Sequence, residues 1–202
     1  MTKAVTVFYS LNSPWTYLAW PRFRALVDRT GASPDYRPIR VAEAFKVSGG
    51  LPLAERPRQR QAYRMMELRR WRAHLAMPLN LEPRFFPVDD RRAASMVIAL
   101  GQRGGDVAAL SEALLRAVWA EERDIADPAT LAVVAGEQGL AGEGLLAAAQ
   151  EPAVIAAYDA NTEIAITEGV FGVPTFAIGD ELFWGQDRLD FVARALERQA
   201  PT

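Results

Sequence analysis

The stretch FYSLNSPWTYLAW, residues 8–20, sets a serine between an apolar run and a helical pattern. Val5–Tyr9 reads as a short buried strand, and Asn12, Ser13 and Pro14 lead into a helix. The first amides of a helix lack internal partners and carry partial positive charge. A thiolate placed there is stabilised by those amides and by a serine hydroxyl that donates one hydrogen bond. Each charge-assisted bond is worth about 1.5–3 kcal/mol, and one pKa unit is about 1.4 kcal/mol. Two such contacts bring a thiol from about 8.5 towards neutrality. The chain has no cysteine, so any thiol must come from a cofactor. The residues alone also admit a plainer role, in which Ser13 only caps its helix.

Two further stretches carry candidate chemistry. In FGVPTF, residues 171–176, a proline stands just before a strand. An X-Pro bond is the one peptide bond that is cis without large cost. A cis Val173-Pro174 would turn the Val173 N–H and C=O towards a cleft, where an extended peptide can add as a strand. The alternative is an ordinary trans proline. In FWGQDRLDF, residues 183–191, Gln186 and Asp187 sit at a helix start. Amides there suit a carboxylate, and Asp187 suits an ammonium group. A ligand group with both charges is an α-amino acid. The alternative is a capped helix end.

The elements that must position these residues change period along the chain. The first forty residues read strand, helix, strand: Val5–Tyr9, then Pro14 to about Thr30 with Pro21 as a kink, then Tyr36–Ile39 after the stop at Gly31. The middle reads as nearly all helical. Met65, Leu68, Trp71 and Leu75 form a stripe in the helix expected from Arg56 to Met77. Arg91–Gln102 follows, then a helix capped by Asp106 running to about Glu122. Another starts at Asp127-Pro128 and stops at Gly139, and Gly142–Gln150 and Glu151–Glu168 continue the pattern. VPTFAIGDELFW then gives strands Thr175–Ile178 and Leu182–Trp184 around a Gly179-Asp180 hairpin turn, and a last helix opens at Gly185-Gln186-Asp187 and runs to about Arg198. The order is β-α-β, a helical block, then β-β-α. The two ends can form one α/β sheet unit, a thioredoxin-like plan interrupted by a large all-helical insertion. The expected division puts residues 1–44 and 170–202 in the thioredoxin-like unit and 45–169 in the insertion.

With 202 residues, half hydrophobic and 24% charged, the chain is long enough to bury a proper core. A net charge of -2 gives no general reason to expect nucleic acid or an anionic membrane. Without cysteine, disulfides, thiolate metal sites and a cysteine nucleophile are excluded. With a single histidine, His74, a catalytic metal would need mostly carboxylates, and no metal is expected. No run reaches the length of a membrane span, and the start MTKAVTVFYS lacks a signal peptide's apolar stretch. A cytoplasmic location is expected. The segment Arg56–Arg72 carries seven arginines. They read as a solvated helix face, with attraction of anionic ligands as the alternative.

Taken together, SPWTYLA (13–19), RMMELRRWRAHLAMPL (64–79), AVWAEERDIAD (117–127) and YDANTEIAITEGVFGVPTFAIGDELFWGQDRL (158–189) resemble the 2-hydroxychromene-2-carboxylate isomerases. These form part of the DsbA-like group that includes the kappa-class glutathione transferases. The resemblance spans essentially the whole chain, and its last block is the most specific. It implies a thioredoxin fold with a helical insertion, glutathione as cofactor and a homodimer. It also implies a reaction between 2-hydroxychromene-2-carboxylate and trans-o-hydroxybenzylidenepyruvate in naphthalene-type catabolism, by thiol addition, bond rotation and elimination.

Carried over residue by residue, the resemblance puts Ser13 at the glutathione thiolate and Val173, before Pro174, on the cysteinyl backbone. It puts Gln186 and Asp187 at the γ-glutamyl end and Lys46 near the ligand. Pro14, Trp15 and Tyr17 would wall the substrate pocket, and Arg84 or Arg188 would meet the substrate carboxylate. Two positions depart from the family's pattern: Gly50 stands where Asn is common, and Gln186 where the motif has Asn. Two other functions remain open on the same scaffold. One is a kappa-type transferase or peroxidase acting on other electrophiles. The other is a binding module without turnover.

Overall fold

In the computed structural model, which describes residues 3–198, four strands form one mixed sheet in the order β2-β1-β3-β4. Strand β1 (Ala4–Tyr9) runs parallel to β2 (Ser33–Pro38) and antiparallel to β3 (Thr175–Ile178), and β3 pairs antiparallel with β4 (Glu181–Trp184). The first and last segments therefore meet in one sheet, as the change of period predicts. The β3–β4 turn is the two-residue Gly179-Asp180 hairpin, with Ile178 opposite Glu181.

Helix α1 (Pro14–Thr30) begins with Ser13 as its cap and Pro14 in its first turn. It ends where Gly31 takes φ 64° and donates to the Val27 carbonyl at 2.9 Å. Pro21 lies inside α1 without ending it. The strand β2 starts at Ser33 rather than Tyr36, because it pairs with β1 along its whole length, from Ala4 opposite Ser33 to Tyr9 opposite Pro38. Its prolines fit an edge strand, where one row of amides faces no partner.

The block between β2 and β3 is helical: α2 (Val41–Ser48), α3 (Arg58–Leu75), α4 (Arg91–Gln102), α5 (Val107–Trp119), α6 (Pro128–Glu137), α7 (Gly142–Ala148) and α8 (Pro152–Thr167). Helix α2 is absent from the sequence pattern because only Ala44 of it is buried, which leaves no stripe. It also runs across residue 45. Helix α5 stops at Trp119, short of Glu122. There Glu122 takes φ 53°, and the Arg123 N–H turns back to the Ala117 carbonyl at 2.8 Å. The last helix, α9 (Leu189–Arg198), follows a 3-10 turn at Gln186–Arg188.

Burial explains why the block and the sheet hold together. Val5, Val7 and Tyr9 point from β1 into the main core with Trp20, Phe23, Leu110, Leu114 and Trp119. Phe8 points the other way, onto Ile39, Ala165, Val170 and Ala177. Helices α1 and α9 thus cover one face, and α8 with α2 covers the other. Tyr9 and Ser111 share a hydrogen bond of 2.8 Å, and the Trp20 indole donates to Ala108 at 3.0 Å. Two buried polar side chains of the β1–α1 unit are therefore satisfied by α5, which fixes the insertion against the start of α1.

Candidate active site

Ser13 is buried at the β1–α1 corner, and its hydroxyl has two neighbours. It accepts from the Thr16 N–H at 3.2 Å and donates to the Val173 carbonyl at 3.4 Å. The first bond is the helix cap. The second is long for an O–H donor, so the proton is weakly held and can turn to a better acceptor. An anion beside it would receive that hydrogen bond and one from the Trp15 N–H, since Pro14 has no N–H and the Thr16 and Tyr17 amides are bonded to Ser13.

Val173-Pro174 is cis, and so is Phe86-Pro87, which sequence reading did not single out. The Pro174 carbonyl accepts from the Gly185 N–H at 2.9 Å, which ties the strand entry to the Gln186-Asp187 turn. Gly185 has φ 109°, and a Cβ there would stand 2.6 Å from an Asp187 carboxylate oxygen. The turn therefore requires glycine. Gly172 is required for a different reason: a Cβ would stand 2.5 Å from the Trp184 indole nitrogen. Trp184 lies against this backbone and packs on Phe171, with ring centres 4.8 Å apart.

Val173, Trp184 and the Gly185 turn open on a cleft of about 380 Å³, with Ser13 behind Val173. Trp15, Val173, Gln186, Asp187 and Arg188 line it, as does Trp184. Helix α3 supplies the opposite wall with Tyr63, Glu67 and Trp71, three residues spaced by four on one helix face. Arg56 adds a cation whose pKa is lowered, mainly by burial. Of the seven arginines read as a solvated face, this one reaches the cleft. The spacing of Tyr63, Glu67 and Trp71 is the signal that could have found that wall.

Asp187 is partly exposed and pairs with Arg188 at 2.8 Å. Gln186 is buried, and its side chain is turned to Arg22, which also donates to the Gln186 carbonyl at 2.9 Å. Arg22 lies over the Trp71 ring, 5.5 Å from its centre. Its pKa is lowered by burial, against Asp190 and Asp187, which raise it. The residue one methylene longer than the family's Asn is thus held by an arginine that sequence reading missed.

Six expected site residues lie outside this cleft's lining: Ser13 and Pro174, which sit behind Val173 and Trp15, and Lys46, Arg84, Pro14 and Tyr17. Lys46 is in the last turn of α2 and pairs with Glu43 through both carboxylate oxygens at 2.8 Å. Arg84 is exposed, with its guanidinium 5.1 Å from the Phe85 ring centre. Pro14 is buried in the first turn of α1. Tyr17 points inward: its hydroxyl donates to the Pro78 carbonyl at 2.6 Å, and burial pushes its pKa up to about 12. Of the proposed aromatic wall, Trp15 is the part that faces the cleft. Gly50 packs on Phe45, where a Cβ would come within 2.4 Å of the ring, so an Asn there would displace Phe45.

The Ser13 corner is also clasped from a second side. Asn12 donates to the Val88 carbonyl at 2.7 Å and accepts from the Val88 N–H at 3.4 Å. Asp90 accepts from the Ser10 hydroxyl at 2.8 Å and the Asn12 N–H at 3.2 Å. Burial raises the Asp90 pKa, while these two bonds act to lower it.

Residues 4–197 match the family described as a DSBA-like thioredoxin domain. The chain belongs to that family. Within it, this DSBA-like chain is 34% identical, over 95% of its length and 97% of the relative, to a 2-hydroxychromene-2-carboxylate isomerase from Sphingobium xenophagum. It is 29% identical to one from Pseudomonas putida, over 96% of this chain and 94% of that protein. A solved 2-hydroxychromene-2-carboxylate isomerase superposes with a TM-score of 0.80 at 27% identity, covering 96% of this chain and 95% of the other. The cytosolic disulfide reductase DsbM from Pseudomonas aeruginosa, solved with GSH, shares the fold, with a TM-score of 0.69 at 22% identity over 97% of this chain and 98% of that one. The thioredoxin-like sheet with a helical insertion is therefore the fold of this DSBA-like family. Among the described residues, no helix is long and apolar enough to cross a membrane.

Proposed function

We propose that the chain is a glutathione-dependent isomerase that interconverts 2-hydroxychromene-2-carboxylate and trans-o-hydroxybenzylidenepyruvate. The observation that carries this is the Ser13 hydroxyl, 3.4 Å from the Val173 carbonyl at the first turn of α1, in a chain with no cysteine. The relatives that match it along nearly its whole length bear the name of that isomerase.

The donor set suits glutathione. Ser13 and the Trp15 N–H would face its sulfur, and the Val173 backbone its extended peptide. Asp187 would take the γ-glutamyl ammonium group at the turn that Arg22 braces through Gln186. Bound there, glutathione supplies a thiolate that adds reversibly to a conjugated carbon and is not consumed. The chain's own part is to hold that sulfur ionised. Two charge-assisted contacts of about 1.5–3 kcal/mol each suffice to move a thiol from about 8.5 to near 7. Trp15 and Trp71 limit water at the cleft wall. Substrate turnover measured with and without added glutathione tests this reading. Turnover that needs the tripeptide supports it, and equal turnover without it refutes the glutathione dependence.

The same reading places the enzyme in the cytoplasm, where glutathione is abundant, as a homodimer. Light scattering of the purified chain checks the dimer, and a monomer at all concentrations would remove it.

A further inference from the structure

The second cleft, of about 340 Å³, lies on the other side of α3, between that helix and the segment Leu81–Pro87. Its lining is largely apolar: Leu53, Met65, Leu81, Pro83, Phe86 and Pro87. One cation lines it as well. Arg64 is 9% exposed, and its Nη2 has no hydrogen-bond partner among the described residues. No carboxylate lies within ion-pair distance of it there, although Glu82 lines the same cleft. Its other terminal nitrogen finds only the Met65 sulfur, at 3.8 Å.

The guanidinium sits over two rings, 5.3 Å from the centre of Phe86 and 6.0 Å from that of Trp119. Those π faces offset part of its charge. They offer nothing to an N–H in the guanidinium plane, which needs an oxygen acceptor. The neighbouring Trp119 indole N–H is also buried without a partner among the described residues. Burial, helped by Arg56, pulls the Arg64 pKa down to about 10, which leaves it charged at neutral pH. A buried, charged, unpaired arginine is expensive, and the stable solution is a bound anion.

The position fits the reaction. Phe86 and Pro87 line this cleft, and the next residue, Val88, is hydrogen-bonded to Asn12, the neighbour of Ser13. A flat aromatic acid lying against Phe86 and the apolar wall of this cleft would bring its carboxylate to Arg64.

We propose that Arg64 is the carboxylate anchor of the substrate, and that this second cleft is the subsite for its aromatic acid. The inference rests on the reading that the substrate is an aromatic carboxylate. It replaces Arg84 and Arg188 in that role, since Arg84 is exposed and Arg188 is paired with Asp187.

The test is calorimetry in glutathione-free buffer, with 2-hydroxycinnamate and its neutral carboxamide as probes. The wild-type chain should bind the acid about tenfold or more tightly than the amide, the effect of one charge-assisted contact. Arg64→Met should bind the two alike, and Arg188→Met should keep the preference. An acid preference that survives Arg64→Met, or none in the wild type, overturns the proposal. Should Arg64→Met fail to fold, a wild-type crystal with 3-bromo-2-hydroxycinnamate decides. Bromine in this cleft supports the subsite, and bromine elsewhere refutes it. Glutathione dependence is read separately, so either conclusion can fail alone.

Discussion

The two sides of α3 solve the same electrostatic problem in opposite ways. Towards the first cleft, Glu67 is partnered by Arg70, and across the cleft Asp187 is partnered by Arg188. Towards the second, one position after Tyr63, Arg64 is buried with no acid partner among the described residues. Exposed pairs of the first kind contribute little and reorganise easily, at about 0–1 kcal/mol each. An unpaired buried charge cannot be neutral to stability. Its persistence marks the second side as built around something absent from the chain itself.

The sharpest break between the two sides should come at Ser13. Replacing it with Ala should lower turnover by about tenfold or more, roughly 1.4 kcal/mol on the barrier. Helix α1 would lose one cap, about 1 kcal/mol, so the melting temperature should be measured beside the rate. Turnover unchanged at equal melting temperature would leave Ser13 as a cap only, and the first cleft without a sulfur site.

Arg64 should behave in the reverse sense. Without ligand, Arg64→Met should stabilise the chain by about 1–3 kcal/mol, because a similar-sized apolar side chain replaces an unpaired charge among Phe86, Met65 and Leu81. For a chain of this size that is several degrees in melting temperature, at about 2–4 °C per kcal/mol. A melting temperature that falls instead would show that the guanidinium is satisfied within the fold, and the contrast between the two sides of α3 would disappear.

Asp187 sharpens the comparison on the first side. Asp187→Ala should weaken glutathione binding about three- to tenfold while leaving the rate at saturating glutathione nearly unchanged, since an exposed carboxylate contributes about 1 kcal/mol. A fall in the maximal rate alone would move the γ-glutamyl group away from the turn.

How far these features were legible in the sequence follows from what each depends on. The sheet strands, the hairpin, α1 and α9 show local period and local caps, so pattern alone places them to within a few residues. Ser13 and Val173 were legible as candidates because each sits at a boundary between periods. Helix α2 was not legible, since it packs on α8 with only one buried side chain. Arg64 was hidden for another reason. It is one arginine among seven, and its burial depends on the segment Leu81–Pro87 and on α5, both distant in sequence. Arg22 was missed likewise, because its partner Gln186 lies 164 residues on. Periodicity reports which way a residue points on its own element, not which element arrives to cover it.

The smallest expected effect lies at the clasp that joins the two sides, and it is a pH effect. Burial raises the Asp90 pKa above its ordinary value of 3.8, against the hydrogen bonds from Ser10 and Asn12. A carboxyl whose pKa is raised by folding binds its proton more tightly in the folded state. Below about 3.8 both states are protonated, and the ionised form imposes no penalty. As pH rises from there through the folded-state pKa, the unfolded chain ionises first and the wild type loses stability. Above the folded-state pKa the loss is complete and constant. Asp90→Asn keeps an acceptor oxygen for Ser10 and Asn12 but carries no charge, so it escapes this loss. The variant should therefore melt about 1–2 °C above the wild type at pH 7, with the gap closing below pH 4. Melting curves from pH 3 to 8 measure it. A gap that widens on acidification would mean that Asp90 is stabilised as a carboxylate, and that the Ser10 and Asn12 donors, rather than burial, set the charge behind the Ser13 corner.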